Sequence, residues 1–99
     1  MFNIVKKSEG KCMEICLIGR LDTTTAPQLD EVVKKDLAER EKLVFNLKEL
    51  EYISSAGLRS LLSAQKLMNK QGSMTIRNAS NEIKEIFEVT GFADILTIE

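Results

Sequence analysis

The chain has 99 residues, 43% of them apolar and 29% charged, enough to bury one core and too few for two, so a single domain over 1–99 is expected. Fourteen Lys and Arg against fifteen Asp and Glu leave a formal charge of -1, and no basic run exceeds a Lys-Lys pair, so neither DNA nor RNA is an expected partner. Histidine is absent, which removes the usual general base near neutral pH and most hydrolase triads.

At the N-terminus Lys6 and Lys7 interrupt any apolar leader, and no uncharged apolar run approaches the ~18 residues of a membrane span; a cytosolic protein with no membrane partner is expected. Phe2 to Val5 and the run Met13, Ile15, Leu17, interleaved with Cys12, Cys16 and Ile18, predict two strands joined through Ser8-Glu9-Gly10. The second is apolar on both sides in its C-terminal half, the pattern of a central strand covered on both faces. Cys12 and Cys16, four apart on it, stand roughly 13 Å apart, beyond disulfide reach, and without histidine they form no metal ligand set.

Ala26, Leu29, Val33 and Leu37 recur every three or four residues as one helix face, with Pro27 in the first turn and Thr25 and Gln28 spaced as a capping box. Leu43 to Leu47 is short and apolar enough for an inner strand. Leu58, Leu61, Leu62 and Met68 give a second helix its apolar face, beginning near Ser55 and stopping before Gly72, with Arg59, Ser60, Ser63, Lys66 and Lys70 on the other face. Met74 to Ile76 predicts another strand. Ile83, Ile86, Phe87 and Thr90 predict a third helix that Gly91 ends, Phe92 supplying the apolar stop contact, and Ile95 to Ile98 an edge strand or docked tail. The order defines an α/β fold, a mixed, mostly parallel sheet of four to five strands with three to four helices. Loops at the C-terminal ends of parallel strands share one sheet edge, so 22–24, 50–55 and 78–80 are expected to converge.

The segment Tyr52-Ile-Ser-Ser-Ala-Gly-Leu58 passes from strand to helix through two serines. On residues alone Ser55 is an N-cap, with Ser54 its neighbour or the cap itself. The loop lacks the glycines and lysine of a P-loop, and there is neither a Gly-x-Ser-x-Gly elbow nor a histidine to activate a serine. Asp22 lacks the acidic pair and lysine that accompany a receiver-domain acceptor aspartate. Tyr52, the only tyrosine, is placed under the loop or at its rim. No catalytic constellation emerges, and an enzyme is not expected.

Gly19-Arg-Leu-Asp22 after a strand, Leu43 to Leu47 as the next strand, and Tyr52 to Arg59 together resemble the STAS domain of anti-sigma-factor antagonists, over nearly the whole chain. In that family the loop usually reads Asp-Ser-(Ser or Thr)-Gly-Leu-Gly. The serine after the aspartate is phosphorylated by a partner that is both ATP-dependent serine kinase and anti-sigma factor. Aligned on Gly57, that acceptor is Ser55. The resemblance implies a transcription regulator that binds the kinase when unphosphorylated and releases it when phosphorylated, until a PP2C-type serine phosphatase restores it; no cofactor is implied. Ser54 replaces the aspartate, Ala56 the second Ser or Thr, and Arg59 the second glycine. The expected partner surface comprises Asp22, Thr23, Thr24, Ser54, Ala56, Gly57 and Arg59. Some STAS-like proteins are instead structural and regulatory subunits of ABC-type lipid transport complexes, and an intact acceptor serine favours the switch.

Overall fold

The structure is a computed structural model and describes residues 2–99. Strands β1 (Phe2–Glu9) and β2 (Cys12–Leu21) form an antiparallel hairpin around Gly10, whose φ of 61° is the left-handed conformation expected there. Helix α1 (Ala26–Asp36) leads to β3 (Lys42–Ile53), helix α2 (Ser55–Gln71) to β4 (Ser73–Arg77), and α3 (Asn81–Thr90) to a single 3-10 turn, Phe92–Asp94. The four strands lie in chain order, with β2, β3 and β4 mutually parallel. Right-handed crossovers in such an order place α1 and α2 on the same face of the sheet.

One face of the sheet is therefore covered and the other open. Along β2, Met13, Ile15, Leu17 and Leu21 are buried while Glu14, Cys16 and Ile18 between them stay half-exposed. The expectation of a strand covered on both faces is corrected: its apolar run alternates after all, and Cys16 and Ile18 face the open side. Phe45, Leu43 and Leu47 of β3 are completely buried, each contributing roughly 1.5–3 kcal/mol of apolar burial.

Two strands outrun their apolar signals. β1 continues through Lys6, Lys7 and Ser8 because a hairpin edge needs paired backbone, not buried side chains, and charge on an edge strand discourages intermolecular pairing. β3 continues past Leu47 to Ile53, with Leu50 and Ile53 buried and the exposed Lys48 and Glu49 carried across register shifts against β2. The expected loop from Leu50 is strand.

Helix α3 starts at Ser80, whose hydroxyl accepts from the Ile83 N–H at 3.2 Å, and stops at Gly91, whose φ of 83° few other residues tolerate. The tail then docks on β4. The Ile76 N–H donates to Thr97 O at 2.8 Å, and the Glu99 N–H donates to Ile76 O at 2.9 Å, so the last residues cover the β4 edge as a one-bridge extension of the sheet.

Candidate functional site

The longest strands, β2 and β3, end side by side, and their exits form the site. The Ser54 N–H donates to Leu21 O at 2.9 Å, fixing the β3–α2 junction against the end of β2. Ser54 is the N-cap of α2: its hydroxyl accepts from the Gly57 N–H at 3.4 Å and its carbonyl from the Leu58 N–H at 2.9 Å. Ser55 is thus the first helical residue and not the cap. It is exposed, and its hydroxyl makes no side-chain hydrogen bond among the described residues.

Gly57 is buried where α2 meets the sheet. A Cβ there would stand 2.8 Å from Leu21 Cγ and 2.9 Å from Ile53 Cγ1, so the missing side chain is what lets the first turn of α2 settle onto β2 and β3. Its role in this structure is packing; of the expected surface, Thr23, Thr24 and Arg59 are exposed, like the acceptor Ser55, and Asp22, Ser54 and Ala56 are half-buried.

The neighbouring loop is held by its own side chains. Asp22 Oδ1 accepts from the Thr24 hydroxyl at 2.8 Å, the Thr24 N–H at 3.0 Å and the Thr25 N–H at 3.3 Å. These bonds, that from the Thr24 hydroxyl foremost, hold the carboxyl below its ordinary value of 3.8, so it is ionised at neutral pH. The Thr25 hydroxyl donates to Arg20 O and accepts from the Asp22 N–H, each at 2.8 Å. It is turned away from α1, so the expected Thr25–Gln28 capping box does not form. The Asp22 carbonyl serves the helix start instead, accepting from the Ala26 N–H at 2.8 Å.

Thr23, Ala26, Asp30, Ala56, Arg59 and Ser63 line a shallow groove between the first turns of α1 and α2. At its floor the buried Ser60 hydroxyl donates to Asp30 Oδ1 at 2.7 Å, linking the helices. The sequence pattern assigns Ser60 to the outer face of α2, but its position beside Leu61 and Ala64 turns it inward. Sequence reasoning missed this bond and the Thr25 clasp; the helical period around Ser60 was the available signal.

The third loop does not join the site. Arg77, the last residue of β4, pairs with Asn46, and the Asn78 amide donates to Asn46 Oδ1 at 3.2 Å. β3 runs seven residues further, roughly 20 Å at strand rise, before α2 begins. Tyr52 is not beneath the loop either. It lies on the open sheet face, 37% exposed, with the Arg20 guanidinium 4.4 Å above its ring.

Among the described residues there is no cluster of three or more His, Cys, Asp or Glu able to hold a metal ion, and no helix is long and apolar enough to cross a membrane. The arrangement offers a free hydroxyl at a helix start beside an ordered acidic loop.

Residues 3–99 match the STAS domain family, and the chain belongs to it. It is 35% identical over 85 residues to BtrV of Bordetella bronchiseptica, a protein assigned as an anti-sigma factor antagonist, covering 84% of this chain and 73% of that one. Its fold superposes on an anti-sigma factor antagonist from Mycobacterium paratuberculosis with a TM-score of 0.88 at 18% identity, over 99% of this chain and 85% of that one. It also superposes on the phosphorylated form of the Bacillus cell fate determinant SpoIIAA, with a TM-score of 0.75 at 17% identity, over 100% and 91% of the two chains. Anti-sigma factor antagonists are regulators and not enzymes.

Proposed function

We infer that this protein is a cytosolic partner switch controlled by phosphorylation of Ser55: unmodified, it binds an anti-sigma factor that is also a serine kinase, and phosphorylated, it lets go. The observation that carries the reading is the Ser55 hydroxyl, exposed and without a side-chain hydrogen bond among the described residues at the first position of α2, while Ser54 does the capping. A hydroxyl spared from capping is available to an incoming kinase. The phosphorylated SpoIIAA of the same fold supports a modification of this type.

In the transfer, Ser55 Oγ attacks the γ-phosphorus of ATP, the hydroxyl proton passes to a base and ADP leaves. No histidine is available, and Ser54 stands where the family has a carboxylate, so the kinase supplies that base. A PP2C-type phosphatase returns the serine by hydrolysis, releasing inorganic phosphate.

Phosphoserine carries about -1.5 to -2 charges at neutral pH, and an exposed helix N-terminus favours an anion by roughly 0.3–1 kcal/mol. The modified domain therefore keeps its fold. Leaving that charge unpaired in a desolvated interface costs several kcal/mol, so affinity for the partner is where the modification acts. Incubation with the cognate kinase and ATP, followed by mass-spectrometric localisation, tests the reading: one phosphate on Ser55 is expected, and a phosphate on Ser54 or Thr24 instead overturns the site.

A further inference from the structure

Helix α2 carries Arg59, Lys66 and Lys70 and no carboxylate anywhere between Ser55 and Gln71. Its neighbours differ: α1 mixes Asp30, Glu31 and Asp36 with Lys34 and Lys35, and α3 sets Glu82, Glu85 and Glu88 against Lys84 alone. At about 100° per residue, Ser55, Arg59, Lys66 and Lys70 fall within roughly 60° of arc, forming one line about 22 Å long down the helix. All four are exposed. None of the three cations takes part in the ion pairs among the described residues, which join Lys6 to Asp36, Lys11 to Glu41, Lys35 to Glu31 and Arg77 to Glu99. On a chain of net charge -1, α2 is thus a positive strip with Ser55 at its head.

Resting on the reading of Ser55 above, we propose that this strip is the docking line for an acidic surface of the partner, and that phosphorylation acts partly by discharging it. Charge complementarity selects the occupant: three uncompensated cations in a row attract a carboxylate-bearing protein surface and speed its approach. Lys66 and Lys70 stand about 6 Å apart along the axis, within the screening length of about 8 Å at physiological salt, and Arg59 lies about 10 Å from Lys66, just beyond it. A phosphate on Ser55 brings about -1.5 to -2 charges to the head of a strip of three, offsetting half or more of its net charge. Arg59 is the cation of the strip closest to Ser55, one helical turn on, and helical Cα–Cβ bonds tilt toward the N-terminus and so toward residue 55.

Stopped-flow association with the cognate kinase, across a series of salt concentrations, tests the proposal. For the wild-type chain the association rate should fall steeply as salt rises. Lys66→Glu with Lys70→Glu should slow association about tenfold or more at low salt and flatten the salt dependence. Lys34→Glu with Lys48→Glu makes the same change in net charge at exposed positions off the strip and should leave the rate within about twofold. A chain carrying phosphoserine at 55 should associate with a flattened salt slope even before any effect on dissociation is counted. Wild-type binding at a rate indifferent to salt and to the α2 substitutions contradicts the strip and leaves the Ser55 reading standing. Equal slowing by both double variants also contradicts it, since net charge alone would then account for the effect. A wild-type chain that does not bind the kinase contradicts both readings.

Discussion

The division of labour between Ser54 and Ser55 sets what each substitution costs. Ser54→Ala removes the hydroxyl that accepts from the Gly57 N–H and should destabilise the domain by about 1 kcal/mol in urea unfolding. Ser55→Ala removes a hydroxyl with no side-chain partner among the described residues and should stay within about 0.5 kcal/mol of wild type; on the proposed reading it abolishes phosphorylation and preserves kinase binding. Gly57→Ala gains up to about 1 kcal/mol of helix propensity but must displace the buried Leu21 and Ile53, an overpacking cost of about 1–3 kcal/mol. Net destabilisation is expected from the same unfolding measurement. At Asp22 the folded-state pKa is lowered, so its stabilising contribution is present above the ordinary carboxylate value and is lost as pH falls through the lowered one. Carbon-detected NMR titration should place its midpoint below 3.8, and Thr24→Val, which removes the largest cause, should move it up.

Among the elements, the helices were legible because their apolar positions repeat every three to four residues: Leu29, Val33 and Leu37 of α1 and its exit, and Ile83 and Phe87 of α3, are all buried as their spacing requires. Strand lengths were not legible, since Lys6 to Ser8, Lys48, Glu49 and Glu51 run in the strands without being buried, and Leu50 alone among its charged neighbours makes no apolar run. That shortfall displaced part of the site. With β3 read as ending at Leu47, the loop after β4 was expected beside Ser55, whereas the real strand carries Ser55 far beyond it. The open sheet face was hidden for a related reason, because Cys16 and Ile18 are apolar without being covered. Partial desolvation, with the Glu14 carboxylate adding to it, pushes the half-exposed Cys16 thiol above its ordinary value, while Cys12 is exposed at the strand start. A maleimide reagent should therefore label Cys12 first in timed mass spectra, and faster labelling of Cys16 would contradict this strand register.

At the scale of the molecule, a four-stranded sheet holds two junctions against each other so that the Ser55 hydroxyl is offered on a surface that, in the proposed switch, phosphorylation would alter without unfolding it. On that proposal, fold and switch are separable properties. Ser55→Asp should melt within a few degrees of wild type, because a carboxylate is tolerated at a helix start, yet should weaken partner binding. Its single charge and two oxygens make it a weaker perturbation than phosphate. The most direct test of the phosphorylation switch is calorimetric titration of the cognate kinase with the unmodified chain and with the chain carrying phosphoserine at position 55, alongside thermal melts of both. The account predicts matching melts and an affinity lower by about two orders of magnitude or more for the phosphorylated chain. Equal affinities, or a phosphorylated chain whose melt collapses, would contradict it.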